Sequence, residues 1–168
     1  ATFIVPVTKG LGQTGFRIRN GYVYYPYSGS ACSNFGTSTG AGETEDYIVN
    51  IVPQPSHDLG AVAIIAPANN ATFCANRVDT VMAKIYNYGS SVESDFYVYA
   101  TYTDSSGATN SIYTKYTGNL ASASADNVYI GTINPPNGGK YKGKAFTVLA
   151  TDTIHINDSS SSTLNLTT

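Results

Sequence analysis

Charged side chains are scarce in this sequence, and tryptophan is missing. Asp, Glu, Lys and Arg make up only 12% of the 168 residues, about half of the share that is usual in globular proteins. The formal net charge is −2, so the chain has no basic excess with which to neutralise nucleic-acid phosphates. We therefore expect no nucleic-acid partner, and a polar but mostly uncharged surface that is typical of secreted proteins.

Long apolar runs are absent as well. No run approaches the roughly 20 apolar residues that span a bilayer, so membrane insertion is not expected. The sequence opens on the apolar segment ATFIVPV and not on Met. We expect it to be a processed piece of a longer precursor, with an extracellular or cell-surface location.

The two cysteines, Cys32 and Cys74, lie far apart and form no CxxC pair, so a zinc or redox motif is not indicated. In an exported protein, a disulfide between them would tie the first part of the chain to the second. Two separate thiols are the alternative, and the sequence does not distinguish between them.

What the sequence does contain is a series of short segments in which apolar and polar residues alternate. This period predicts β-strands, and the breaks between them are rich in Gly, Asn, Asp, Ser and Pro, which favour turns. The last two strands are predicted at KAFTVLATDTI (144–154) and STLNLTT (162–168). No segment predicts a long helix, so the fold class is all-β.

The segment PQPS (53–56) divides the chain into residues 1–53 and 57–168. The second part holds about seven predicted strands, which is typical of an immunoglobulin-like β-sandwich. The first part holds about three, and so few strands are only marginally stable alone. We expect this short, incomplete β segment to be completed by self-association or by neighbouring domains of the same precursor.

One route to completion is the donation of a strand from chain to chain. The apolar residues Phe3, Ile4 and Val5 are the predicted assembly strand. An added strand satisfies open sheet edges through main-chain hydrogen bonds, and a head-to-tail contact that does not close grows into a fibre. The sequence therefore favours a fibre subunit as one form of the function.

The acidic stretch GETEDYIVNIV (42–52) stands out in a chain so poor in charge. On an extended strand, Glu43 and Glu45 point to the same side. Arg17 and Arg19 likewise share one side of the segment FRIRN. If the two strands pair, bidentate contacts between arginine and carboxylate would fix their register. Our preferred hypothesis is a structural clamp formed by these four residues.

This stretch has two other interpretations. Glu43, Glu45 and Asp46 could supply oxygen ligands to Ca²⁺, although nearby arginines would repel a cation; no other cofactor is indicated. A catalytic carboxylate pair is the weakest interpretation, because glycosidases hold two carboxylates about 5–10 Å apart across a cleft. We therefore assign no catalytic residue and expect the protein not to be an enzyme.

His155 has two acidic neighbours along the chain, Asp152 and Asp158. A histidine between acids could bind a metal or act as a base, and an exposed loop histidine is the more ordinary interpretation. Tyrosines recur in GYVYYPYSG (21–29) and DFYVYATYT (95–103). They suit interfaces and sugar-binding surfaces, and in the absence of tryptophan we favour packing and subunit contact.

The first 53 residues resemble the C-terminal half of the GEVED domain. The acidic motif reads GETED here, with Thr in place of the Val, and the N-terminal half of that module has no counterpart. The matching residues are Arg17, Arg19, Cys32, Gly42, Glu43, Thr44, Glu45, Asp46 and Tyr47.

The second part of the chain is similar to the CARDB-like, immunoglobulin-type repeats in large secreted proteins of Bacteroidetes-type bacteria. The matching residues are Asp58, Gly60, Val62, Ile65, Pro67, Cys74, Asn87, Tyr88 and Gly89. The resemblance implies a non-catalytic part of an adhesin, a surface layer or a secreted hydrolase. It also implies O-glycosylation of Asp-Thr-apolar triplets, here at Thr80 and Thr153.

These observations predict a non-catalytic extracellular structural or adhesive module, in one form a subunit of a cell-surface fibre assembled by strand complementation. The alternative is an accessory or carbohydrate-binding module of a secreted hydrolase, for which the partner would be a polysaccharide.

Overall fold

The computed structural model describes residues 10–21 and 42–167, within two compact units, Ala1–Pro53 and Gln54–Thr168. The regular structure of the described residues is entirely β-strand, and they contain no helix that could cross a membrane. The strands are β1 (Gly12–Gly21), β2 (Gly42–Ile51), β3 (Leu59–Ala66), β4 (Thr72–Cys74), β5 (Asp79–Asn87), β6 (Phe96–Thr103), β7 (Thr109–Tyr116), β8 (Ala125–Ile133), β9 (Gly139–Val148) and β10 (Ser159–Thr167).

The first unit contains an antiparallel pair of strands, β1 and β2. Phe16 lies opposite Tyr47, and Arg17 lies opposite Asp46. Large apolar side chains remain in contact with solvent on this pair: Ile18 is 46% exposed and Ile48 is 79% exposed. A sheet of two strands is marginally stable alone, so the described part of this unit lacks the burial that a stable sheet needs.

The second unit is a sandwich of two sheets. The large sheet has five strands in the order β4-β10-β9-β6-β7, and the small sheet has three in the order β3-β5-β8. Neighbouring strands are antiparallel, except that β4 is parallel to β10. Strand residues alternate between buried and exposed because successive side chains point to opposite faces.

The buried faces of both sheets meet in one continuous hydrophobic core. Val81 and Ile85 of the small sheet and Val98 and Ala100 of the large sheet are all fully buried. The predicted fold class is confirmed: the protein is all-β, with an immunoglobulin-like sandwich preceded by a short β segment.

One row across the core side of the large sheet has a glycine at its centre. Gly143 lies between Tyr102 and Ser162 in the strand register. A Cβ at Gly143 would lie 2.6 Å from Ser162 Oγ and 3.0 Å from the Tyr102 ring. Burial, and then the charge of Asp79, raise the pKa of the Tyr102 phenol. A side chain at the centre of this row would therefore require Ser162 or Tyr102 to move.

Part of the predicted linker at 53–56 forms main-chain hydrogen bonds with the second unit. The carbonyls of Pro55 and Ser56 accept hydrogen bonds from the amides of Ser90 and Ser91, each at 2.9 Å. Tertiary hydrogen bonds of the second unit therefore begin within this segment, ahead of β3.

Candidate functional site

The side of the large sheet that faces away from the core carries an unusual set of residues. On β6, the even-numbered residues from Phe96 to Tyr102 are buried, so the odd-numbered residues from Tyr97 to Thr103 point outward. The outer face is formed by the odd-numbered residues of β6, β7 and β10 and the even-numbered residues of β9. The register aligns these residues in rows across the strands.

One of these rows is aromatic and runs across three strands. Tyr99 lies between Tyr113 and Phe146 in the register. Its ring stacks on Phe146 with centroids 5.1 Å apart and on Tyr113 with centroids 5.2 Å apart. Tyr97 meets Tyr113 edge to face at 6.0 Å. The ring faces in this aromatic row, Tyr113–Tyr99–Phe146, pack against one another. They are therefore not exposed side by side as a flat platform.

Three lysines project from β9 on the same face: Lys140, Lys142 and Lys144. The ammonium group of Lys144 lies 5.7 Å from the centroid of the Phe146 ring, a cation–π distance. Among the described residues, no carboxylate lies within ion-pair distance of these three β9 lysines.

A fourth lysine on the outer face differs from the β9 lysines because it is paired. Lys115 Nζ lies 2.8 Å from Asp95 Oδ1. The hydrogen bond to Asp95, together with the charge of that carboxylate, raises the pKa of Lys115. The unpaired positive charge of the outer face is therefore concentrated on β9.

A basin of about 580 Å³ lies beside the β9 lysines. Its lining is rich in short hydroxyl side chains. The lining residues are Asn69, Thr101, Thr103, Lys142, Gly143, Lys144, Ser161, Ser162 and Thr163. A second depression of about 310 Å³ shares Lys144 and continues past Phe146 to His155 and Asp158.

The loop that follows β9 is hydrogen-bonded to the start of β3 through the buried carboxylate of Asp152. We call this contact the loop latch. β9 ends at Val148, earlier than the strand predicted over 144–154. Asp152 is 8% exposed, and its two oxygens accept hydrogen bonds from the amides of Leu59 and Ile154, both at 2.8 Å. A buried carboxylate that binds main-chain amides favours a turn over a continued strand.

Asn157 reinforces the same latch from the other end of the loop. Its Nδ2 donates to Asp58 Oδ1 at 2.6 Å. A Cβ on Gly60 would lie only 2.8 Å from the Asn157 carbonyl oxygen, so Gly60 allows this close approach.

The histidine and acids noted in the sequence do come together in this loop. Asp152, His155 and Asp158 each offer one ligand atom, and these atoms lie within 4.8 Å of one another. His155 Nδ1 lies 2.8 Å from Asp158 Oδ2. Because both oxygens of Asp152 already hold main-chain amides, we interpret the group as part of the loop latch.

The other histidine has a structural partner. His57 Nδ1 lies 2.7 Å from Oε1 of Glu93, a carboxylate that is almost fully buried. Within the described ranges, neither imidazole is hydrogen-bonded to a serine, threonine or cysteine side chain. The nucleophile–base contact that covalent catalysis uses is therefore missing from this part of the chain.

In the first unit, Arg17 has a partner that the predicted clamp did not include. The Arg17 guanidinium binds both carboxylate oxygens of Asp46, at 2.5 and 2.8 Å. This hydrogen bond holds the pKa of Asp46 below its usual value. The prediction had paired Arg17 with Glu43 and Glu45. Directly opposed residues share a face, and a shift of one residue moves a side chain to the other face.

Glu45 lies opposite Ile18 in this register and binds a neighbour on its own strand. The Tyr47 hydroxyl donates to Glu45 Oε2, which raises the pKa of the Tyr47 phenol. The side chains of Arg19 and Glu43 lie outside the described residues, so their part in the clamp stays a prediction.

The predicted Ca²⁺ site at Glu43, Glu45 and Asp46 meets a geometric obstacle. Glu45 and Asp46 are successive residues of β2, so their carboxylates point to opposite faces. Asp46 also holds Arg17. These two carboxylates cannot converge on one ion while β2 keeps its extended form.

Several predicted residues lie outside the described ranges, among them the assembly strand Phe3, Ile4 and Val5. Cys32 is also outside them, whereas Cys74 lies exposed on β4; the disulfide stays a prediction. Both candidate O-glycosylation residues, Thr80 and Thr153, are exposed, and their modification stays a prediction as well.

Sequence reasoning missed the β9 lysines. Their signal is the alternation KYKGK (140–144), in which every second residue is a lysine. On a strand, that spacing places all three charges on one side.

No family model and no curated protein matches the chain. Among solved structures, it is similar to the CARDB domain of a protein from Pyrococcus furiosus, which was solved in complex with di-metal ions. The two sequences are 12% identical, the match covers 68% of this chain and 97% of that chain, and the TM-score is 0.48. The resemblance of the first 53 residues to the GEVED domain stays a prediction.

Proposed function

We propose that the protein is a non-catalytic extracellular adhesive module whose contact surface is the outer face of the large sheet. The observation that carries this proposal is the combination of the aromatic row with the unpaired β9 lysines on one face.

The exposed apolar area of this face supports a contact function. Tyr113 is 61% exposed, Val148 is 46% exposed and Tyr97 is 39% exposed, and their strands are neighbours in the sheet. Isolated exposed apolar residues are ordinary, whereas large contiguous apolar patches mark interaction sites. Tyrosine suits such a surface because it combines apolar area with a polar tip and few rotatable bonds.

The chemistry of the face also supports binding over catalysis. Its polar groups are mainly hydroxyls, amides and ammonium groups on a sheet surface, and carboxylates at its margins are engaged by Lys115 and His155. Such a surface can hold and orient a partner, whereas acid–base catalysis needs a proton donor and acceptor placed against the reacting group.

The experiment is an attachment assay with beads that carry the intact chain. The beads are tested on films of neutral polysaccharides, on films of anionic polysaccharides, and against beads that carry the same chain. We expect attachment to at least one of these surfaces, and its loss when Tyr113 and Tyr97 are replaced by Ser. A matched control is Tyr129→Ser, since Tyr129 is 54% exposed on the small sheet. If the beads attach nowhere, or if Y129S acts like the outer-face variant, the proposal fails.

A second candidate, the fibre subunit, is favoured by the first unit. Ile18 and Ile48 are exposed on a pair of strands that needs more sheet to be stable. A strand from a second copy would cover this surface and satisfy an open edge, and the predicted donor is the segment with Phe3, Ile4 and Val5. Light scattering and electron microscopy of the intact chain test this: fibres that disappear in Ile4→Asp support it, and a monodisperse monomer contradicts it.

A further inference from the structure

We propose that the partner of the outer face is an anionic polysaccharide, a chain of sugars with carboxylate groups, which lies over the basin along β9. This inference rests on the proposed adhesive function and specifies the class of its ligand.

The positions of the β9 lysines provide the charge complementarity. Alternate residues on a strand are about 6.6–6.8 Å apart, so the side chains of Lys140, Lys142 and Lys144 leave the strand at regular intervals along one line. In the described part of the chain no carboxylate neutralises them. Four of the five lysines of the second unit lie on this one face, although that unit carries more acids than bases. A polymer with repeated carboxylates matches such a line.

The basin beside this line suits a ligand rich in hydroxyls. Thr101, Thr103, Ser161 and Thr163 present short hydroxyl groups, each able to donate and to accept a hydrogen bond, and Asn69 adds an amide. Sugar hydroxyls have the same dual character. The volume of about 580 Å³ lies within the range of about 300–1,000 Å³ that is typical of small-ligand sites, so several sugar units can rest there.

An acidic peptide fits this surface less well. Peptides usually bind sheets by adding a strand to an edge, where main-chain hydrogen bonds supply affinity. β9 is paired with β10 on one side and with β6 on the other. Its main chain has no free edge, so only side chains are available to a ligand.

Single-stranded nucleic acid is also disfavoured. Proteins bind it by stacking bases on exposed aromatic faces along a strongly basic groove. Here the faces of Tyr99 are covered by Phe146 and Tyr113, and the net charge is −2.

The test uses the intact chain and polysaccharides that differ only in charge. Polygalacturonate and alginate are the anionic probes, and methyl-esterified polygalacturonate, which has the same backbone without the charges, is the neutral control. Calorimetry gives the dissociation constants. We expect binding to at least one anionic probe, at least tenfold weaker binding to the ester, and a marked loss of affinity between about 0.05 M and about 0.5 M salt, because added ions screen exposed charges.

Matched variants locate the site. Lys142→Gln/Lys144→Gln is expected to raise the dissociation constant about tenfold, as befits two exposed ion pairs. Lys84→Gln is the control, because Lys84 is an exposed lysine on the small sheet; we expect a change of less than about twofold. Circular dichroism and thermal unfolding establish that each variant is folded.

Four results would overturn the inference. These are no binding to either anionic probe, equal binding to the ester, equal loss in K84Q, and equally tight binding to polyglutamate or to single-stranded polynucleotide through the same lysines. The first three leave the adhesive function intact if the beads still attach to neutral films or to one another through the outer face. If the beads attach nowhere, it is the proposed function that has failed.

Discussion

The phenol ring of Tyr99 lies parallel to the ring of Phe146, with centroids 5.1 Å apart and planes 5° apart. The two residues are 47 positions apart in sequence and adjacent in the sheet register. The contact helps to form the outer face, because the two rings pack against each other and the Lys144 ammonium group lies over the Phe146 ring.

This contact predicts a measurable coupling between the two rings. Stacked aromatic pairs contribute about 0.5–1.5 kcal/mol beyond their buried area. In a double-mutant cycle with Tyr99→Ala and Phe146→Ala, we expect a coupling of about 1 kcal/mol in the free energy of unfolding, measured with urea. A cycle between Tyr99 and Tyr129, which lie on different sheets, should give a coupling near zero. A Tyr99–Phe146 coupling as small as that control would mean that the row does not form in solution.

The close contacts around Gly143 predict that even a methyl side chain at this position lowers the stability of the fold. A Cβ there would lie 2.6 Å from Ser162 Oγ and 3.0 Å from the Tyr102 ring, and overpacking of this kind costs about 1–3 kcal/mol. Gly143→Ala should therefore lower the free energy of unfolding by about 2 kcal/mol.

Ser162 offers the control for this prediction. Its hydroxyl is buried and makes no hydrogen bond within the described residues, so Ser162→Ala should cost little or nothing. The same change removes the atom nearest to the new Cβ, and the double variant should regain part of the stability that G143A loses. If S162A does not relieve G143A, the close packing of this row is not the cause.

The hydrogen bonds that Asp152 accepts from main-chain amides predict that the protein loses stability when this carboxylate is removed. Asp152→Ala would leave the buried Leu59 amide without its partner, and losing a hydrogen bond to a charged group costs about 1.5–3 kcal/mol. Asp152→Asn keeps one acceptor oxygen and should lose less. Denaturant unfolding of both variants checks this, with the exposed Asp126→Asn as a control that should change stability by less than about 1 kcal/mol. Equal stability of D152A and the parent chain would contradict the latch.

The sequence predicted strand positions well where alternation is long. The segment DNVYIGTI (126–133) coincides with β8, and NSIYTKYTG (110–118) overlaps β7. β4 was not predicted, because Thr72–Cys74 is only three residues long and too short to show a period. The strand predicted over 144–154 began five residues after the start of β9 and ended six residues beyond its end. The end was misplaced because alternation does not reveal that Asp152 binds the Leu59 amide from another strand.

The candidate site was less predictable because it depends on register. Alternation already separates Tyr99 from Tyr102 onto opposite faces of β6. It does not state that Tyr113 and Phe146 will lie on either side of Tyr99, because that depends on which strands pair and in what register. The same limit explains why the predicted clamp gave Arg17 the partners Glu43 and Glu45 and left out Asp46: one step of register changes the face.

The bond between Arg17 and Asp46 predicts a shifted titration and not a large change in stability. Both side chains are exposed, and exposed ion pairs contribute little. The folded-state pKa of Asp46 lies below its usual value of 3.8 because Arg17 donates a hydrogen bond to the charged form. The contribution of the pair to stability is therefore present above about pH 4 and is lost as the pH falls through the lowered pKa.

Carbon-13 NMR of the Asp46 carboxyl group should show a midpoint below 3.8 in the parent chain, and Arg17→Gln should return it toward that value. Arg77→Gln, which removes an exposed arginine from the other unit, should leave the midpoint unchanged. If Asp46 titrates normally in the parent chain, the register that places it opposite Arg17 is not the one populated in solution.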